Sequence, residues 1–165
     1  MRQNTKKTVT TILIGFLLFA TAIFAEQVQP SQEAIDSFHI KALQLKNEGK
    51  YQDAESIFKQ ILNAQPDNSN ARFDLGNVYL LEKKYQEALD CYREVNRLSP
   101  DKQFDAAYYF NISMCFIGLG SYEKAINNLK QCIDNDPNYP DAQNLLGLVE
   151  NAHQRKDILK IEKCE

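Results

Sequence analysis

Histidine is scarce in this sequence, and clustered positive charge is scarcer still. It holds two histidines, His39 and His153, too far apart to share a helix turn or a hairpin. A zinc site or a catalytic triad built on neighbouring imidazoles is therefore excluded. Its four cysteines, Cys91, Cys115, Cys132 and Cys164, form no C-x-x-C pair, which removes the commonest structural metal framework. There is no G-x-S-x-G elbow, no H-E-x-x-H and no P-loop. Gly118-Leu119-Gly120 is a lone G-x-G whose place between two helical patterns makes it turn chemistry. The sequence thus assigns no catalytic residue, no cofactor and no metal. Lysine and arginine number 19 against 22 acidic residues, for a net charge of −3. The basic residues fall in short pairs such as Lys83-Lys84 and Arg155-Lys156. Without a basic face, a nucleic-acid partner is disfavoured.

What is present is one phrase written three times. Gly49-Lys50-Tyr51-Gln52-Asp53-Ala54, Lys83-Lys84-Tyr85-Gln86-Glu87-Ala88 and Gly120-Ser121-Tyr122-Glu123-Lys124-Ala125 each set an aromatic three residues before an alanine. An apolar residue follows each alanine by one helical turn, at Phe58, Tyr92 and Leu129, and a proline closes each unit, at Pro66, Pro100 and Pro137. The spacings predict helices in pairs over 34–47 with 51–64, 69–82 with 85–98, and 104–119 with 122–135. Asp53, Glu87 and Glu123 near helix starts read as favourable N-terminal charges and not as acid/base pairs. A seventh helix is expected from about Pro140, apolar at Leu145-Leu146-Gly147-Leu148 and polar from Asn151 onward, as suits the end of a stack. Residues 157–165 are either its continuation or a truncated eighth helix.

A period of about 34 to 37 residues with aromatic, alanine and proline in phase resembles the tetratricopeptide repeat, a helix-turn-helix unit. The resemblance covers most of the chain after residue 33. The first-helix pattern of the family is matched by Leu75-Gly76 with Tyr79, then by Tyr109, Ile112-Ser113 and Phe116. Phe38, Lys41-Ala42 and Leu45 depart furthest from it. It implies an all-α solenoid of three helical hairpins plus a C-terminal capping helix. Small residues at Ala42, Gly76 and Ser113 face Ala54, Ala88 and Ala125 so that paired helices approach closely. The domains follow as a signal peptide over 1–25, a linker over 26–33, repeats over 34–68, 69–102 and 103–138, and a cap over 139–165.

The leader rests on Arg2, Lys6 and Lys7 followed by an uncharged run from Thr8 to Ala25. This reads as a secretory signal peptide, cut after Ala25 or Ala22. The alternative is an uncleaved anchor, since 8–25 is just long enough to span a bilayer. A lipoprotein is excluded because the first cysteine is Cys91. Export permits oxidation, and Cys91 and Cys115, on helices expected to stack, are candidates for a bridge; Cys132 reads as a packed thiol. Asn111-Ile112-Ser113 matches a glycosylation sequon but lies within an expected helix.

In tetratricopeptide arrays the first helix of each unit lines a concave groove, and the resemblance puts His39, Leu43 and Lys46 there, then Phe73, Asp74, Asn77 and Leu80, then Phe110, Asn111, Met114 and Ile117, with Asn144 and Leu148 from the cap. Phe73, Asn77, Phe110, Asn111, Met114 and Asn144 are the expected peptide-binding residues. Amides can bond to a peptide backbone, and Phe and Met offer adaptable apolar pockets. The cationic clamp by which some family members hold acidic tails is missing, its positions carrying His39, Leu43, Asp74, Ala107 and Asn111. The plan is also similar to that of type III secretion translocator chaperones, but those act before export. The expected function is a non-enzymatic adaptor or assembly factor in the cell envelope, periplasmic or secreted, that binds a peptide segment of a partner protein. The alternative is a membrane-anchored scaffold that self-associates as a homo-oligomer.

Overall fold

The computed structural model describes residues 30–98 and 105–161, with side chains as far as residue 155. The leader at 1–25, residues 26–29 of the linker, the Pro100 link and Cys164 lie outside the described residues. Seven helices run in order: α1 (Gln32–Asn47), α2 (Tyr51–Ala64), α3 (Ser69–Leu81), α4 (Tyr85–Leu98), α5 (Ala106–Gly118), α6 (Tyr122–Asn135) and α7 (Ala142–Ile161). They belong to the unit Gln32–Glu165. None of the described helices is long and apolar enough to cross a membrane.

Each second helix is amphipathic on one stripe. Ala54, Phe58 and Ile61 on α2, Ala88, Tyr92 and Val95 on α4, and Ala125, Leu129 and Cys132 on α6 recur at i, i+4 and i+7, and all nine are buried. The small positions behave as the close-packing reading requires: Ala42, Ala54, Ala88, Ser113 and Ala125 are fully buried. At Gly76 a Cβ would stand 2.7 Å from the Tyr92 ring, so only glycine lets α3 lie this close to α4. The Ser113 hydroxyl satisfies itself on the Phe110 carbonyl at 2.6 Å.

Helix ends follow local chemistry. Asn68 caps α3 by accepting from the Ala71 amide at 2.9 Å, and Asp105 caps α5 by accepting from Tyr108 at 3.0 Å. Each first helix ends in the same hydrogen-bond pair. Lys50, Lys84 and Ser121 donate five residues back to Leu45, Tyr79 and Phe116, while Gly49, Lys83 and Gly120 donate three back to Lys46, Leu80 and Ile117. That motif needs a left-handed residue, and φ is 75° at Gly49, 61° at Lys83 and 66° at Gly120. Pro66 and Pro137 follow the ends of α2 and α6, where the ring forbids another turn.

Consecutive helices pack against each other throughout, and α1 also packs on α3 and α3 on α5. The first helices therefore form a continuous inner layer, with α2, α4 and α6 outside it. A core runs from Ile35 to Cys115, and two smaller clusters gather around Ala106, Cys132 and Ala142 and around Ala125, Leu129 and Val149.

Several expectations are corrected. Helix α1 begins at Gln32, inside the stretch read as linker, and α5 runs Ala106–Gly118, shorter than 104–119 because Asp105 caps it. Helix α7 starts at Ala142, not Pro140, since Asp141 has φ 62° and turns the chain before the helix can form. Its backbone continues to Ile161, so 157–161 extend this helix. Cys91 and Cys115 are free buried thiols and not a bridge. Cys132 is a free buried thiol, as the repeat pattern indicated.

Candidate functional site

The inner face carries a hydrogen-bonded ladder that crosses all three hairpins. On α1, His39 Nε2 lies 2.8 Å from Asp74 Oδ2 of α3. Asn77, one turn on, donates to Asp74 Oδ1 at 3.3 Å and receives two bonds of 2.8 Å on its own Oδ1, from the Tyr92 hydroxyl of α4 and the Asn111 amide of α5. Lys46 Nζ approaches Asp74 Oδ1 at 3.8 Å. The His39 ring stands edge-on to Phe58, with centroids 5.4 Å apart. Every rung is partly buried, where a satisfied polar network rigidifies its surroundings.

The ladder exists because the repeat period sets equivalent positions of α1, α3 and α5 side by side. His39 pairs with a residue 35 positions on, and Asn77 with one 34 positions on. Tyr92 is fully buried, and burial holds its hydroxyl in the protonated form, so it remains a donor to Asn77 at all physiological pH values. Tyr108, pushed up to about 12 by burial, donates to the Tyr92 carbonyl at 3.1 Å and so ties α5 to α4.

The six residues proposed from sequence meet different fates. Asn77 and Asn111 are brought together, but bonded to each other. Phe73 is half-buried and packs on Tyr92 and Tyr108, with centroid distances of 5.6 and 6.3 Å, so it is an inter-helix packing residue. Phe110 likewise packs between clusters and meets Tyr139 at 5.1 Å. Met114 is 36% exposed, and Asn144 is exposed on α7 outside the ladder. The hydroxyl of Tyr92 and the pairing role of Asp74 were not read from the sequence. A search for polar residues one repeat apart would have found the Asp74 and Asn77 partners.

Among the described residues no cluster of His, Cys, Asp and Glu could hold a metal. The three described thiols are poor nucleophiles: burial pushes Cys91 up to about 11 and Cys115 up to about 12, and Cys132 upward too.

Comparison with known proteins agrees with this geometry. A family described as tetratricopeptide repeat matches residues 46–110, and one described as TPR repeat matches residues 116–150. The chain is 25% identical over 125 residues to Hsp70-Hsp90 organizing protein 3 of Arabidopsis thaliana, covering 72% of this chain and 22% of that protein. It therefore spans only about a fifth of that curated relative. Among solved structures, MamA from Desulfovibrio magneticus RS-1 superposes with a TM-score of 0.64 at 24% identity, over 79% of this chain and 77% of that one. The first TPR of Spaghetti (RPAP3), bound to an HSP90 peptide, gives 0.67 at 18% identity, over 77% and 98%. At such identities the structures speak for the fold. Seven described helices paired by the repeat spacing, with repeat matches along both halves of the array, make this chain a tetratricopeptide-repeat, helical-repeat protein.

Proposed function

We propose that the chain is a scaffold that assembles from copies of itself, each array stacking end to end on the next. The observation that supports this is a match between its two ends. Within the array, Asn77 of α3 meets Asn111 of α5, which shows how the first helix of one hairpin meets that of the next. In the same register Ile40 on α1 is the equivalent of Asn111, and Leu148, following Leu146-Gly147 as Asn77 follows Leu75-Gly76, is the equivalent of Asn77. Among the described residues no hairpin precedes Ile40 or follows Leu148, and they are 68% and 67% exposed. Both are apolar where the internal pair is amide. Stacking Leu148 of one copy against Ile40 of the next would repeat the internal contact with hydrophobic burial in place of a hydrogen bond. Such a contact is head-to-tail, so it builds a ring or an open filament. Export, with residues 8–25 holding the scaffold at a membrane, is part of this reading; N-terminal sequencing of the exported protein tests it.

Sedimentation velocity at rising protein concentration tests the stacking. Wild type is expected to associate reversibly, Ile40→Lys and Leu148→Glu to stay monomeric, and the double variant to recover association through the opposite charges. A wild type that remains monomeric, or single variants that associate as it does, refutes the proposal.

A second reading has its own support in Met114, which is exposed on the inner face beside Asn111. In it the inner face holds a peptide segment of another protein, as an adaptor would, and the peptide-bound RPAP3 fold is a precedent for the geometry. The paired His39 and Asp74 leave little free cation for an acidic tail. A folded Phe110→Ala, Asn111→Ala double variant that recovers the same partners as wild type would remove this reading.

A further inference from the structure

The two junctions between successive hairpins can be compared residue by residue, because the repeat sets equivalent side chains at each. Between α2, α3 and α4 the junction is filled by Glu55. It takes Lys59 Nζ at 2.6 Å, Lys84 Nζ at 3.2 Å and the Tyr79 hydroxyl at 3.2 Å. Lys84 also pairs with Glu82 at 2.9 Å, and Gln52 donates to Glu82 at 2.8 Å. These groups bridge the outer surface of the stack from one hairpin to the next.

One repeat later, between α4, α5 and α6, Gln86 and the cationic Arg93 keep the places of Gln52 and Lys59, but the groups they bridged to have changed. Leu89 stands in the place of Glu55, Phe116 of Tyr79, Leu119 of Glu82 and Ser121 of Lys84. The bridge is gone and the junction opens as a cleft of about 390 Å³. That is within the size range of ligand clefts, roughly 300 to 1,000 Å³. Leu89, Ile112, Phe116 and Leu119 supply its apolar surface, and Arg93 and Lys124 stand on its rim. The Lys124 ammonium lies 5.5 Å from the centre of the Phe116 ring. No acidic residue is among the described residues that line it. Arg93 does pair with Asp90 on its own helix at 2.9 Å, but both are well exposed, and such a pair exchanges partners at little cost.

We propose that this cleft on the outer side of the array binds an acidic segment of another protein, seating an aromatic or branched apolar side chain on Leu89, Ile112 and Phe116 while flanking carboxylates meet Arg93 and Lys124. The occupant supplies both parts of what the first junction contains and the second lacks: the filling side chain and the carboxylate. Charge complementarity selects it, since the lining offers two cations and no competing acid. The cleft is separate from the inner face and from the two array ends, so it stands or falls independently of self-association.

The absence of tryptophan from the chain gives a clean assay. The blocked peptide Gly-Glu-Asp-Trp-Glu-Asp-Gly is titrated with the full-length protein, and its indole emission shifts to the blue when the ring is buried. A saturable shift is expected, weakened at least tenfold when lysines replace the four acids of the peptide. It is also expected to weaken at least tenfold in an Arg93→Glu, Lys124→Glu variant whose circular dichroism matches wild type. Leu89→Glu, which restores the first junction's carboxylate one helical turn before Arg93 as Glu55 stands before Lys59, is expected to abolish the shift. The proposal is overturned by equal binding of the lysine peptide, by an unchanged affinity in the charge-reversed variant, or by no shift at millimolar concentrations. Loss of the shift in Met114→Glu alone would move the site to the inner face and overturn it equally.

Discussion

Replacing glycine by alanine should act with opposite sign at two helix positions of this protein. In an ordinary helix interior the change stabilises by about 1 kcal/mol, since alanine has less backbone freedom to lose. At Gly147 on α7 nothing lies within 4 Å of the added methyl, so that gain should appear undiminished, at about 0.5 to 1 kcal/mol. At Gly76 on α3 the methyl would fall 2.7 Å from Tyr92 Cε1 and 3.1 Å from both Cδ1 and Cζ. That ring cannot withdraw. It is fully buried, its hydroxyl is held by Asn77, and Phe73 and Tyr108 pack against it. Overpacking of this kind costs about 1 to 3 kcal/mol. A strained Tyr92–Asn77 hydrogen bond adds roughly 1 kcal/mol, and the propensity gain offsets about the same amount. The net expectation for Gly76→Ala is a loss of about 1 to 3 kcal/mol. Urea denaturation followed by circular dichroism reads both variants against wild type. If the two midpoints move in the same direction, the claim that α3 and α4 are held at a glycine-limited distance is wrong.

Three further outcomes follow from the same geometry. Lys83 holds the left-handed position that glycine holds in the other two hairpins, so Lys83→Gly should raise stability by about 0.5 to 1 kcal/mol in the same denaturation assay, relief of strain exceeding the added chain entropy. Glu55 is held below the usual carboxylate range, first by its hydrogen bond from Lys59 and then by those from Lys84 and Tyr79, against the opposing effect of burial. Because its folded pKa lies below the unfolded value, its contribution is fully present above about pH 4.5 and is lost as pH falls through the folded value. Thermal denaturation from pH 7 to pH 3 should therefore show a smaller acid-side decline in Glu55→Gln than in wild type, and parallel curves would contradict this. In a Cys164→Ser background, Ellman's reagent should find Cys91, Cys115 and Cys132 unreactive until the protein unfolds, because all three are buried; rapid labelling of the native protein would refute the packing.

Much of the fold was legible because it is written in spacing. The i, i+4, i+7 stripe from each anchoring alanine names the buried face of α2, α4 and α6 without any knowledge of their partners. The prolines and the glycines at 49 and 120 mark where helices must stop or turn. The start of α7 was misjudged because Pro140 is compatible with a first helical turn locally, whereas the chain reverses at Asp141 to bring Ala142 and Val149 onto the array. The thiols illustrate another limit. Helix assignment placed Cys91 and Cys115 on neighbouring elements, but whether two side chains on neighbouring helices meet depends on rotation about each axis, which the sequence leaves free.

The candidate site divides along the same line. The repeat period together with the family resemblance it carries determined that α1, α3 and α5 share a face and which residues stand on it, since a repeat carries equivalent positions into equivalent places. Only the tertiary structure decided what those residues do there. It turned Asn77 and Asn111 toward each other and His39 toward Asp74, pressed Phe73 against two tyrosines, and left Met114, Ile40 and Leu148 uncovered. It also decided that one junction is bridged by Glu55 while the next lies open. The reason is physical: a pattern fixes the direction of a side chain from its helix, but its partner is chosen by the distance and angle between helices, and those are set by how the whole stack packs.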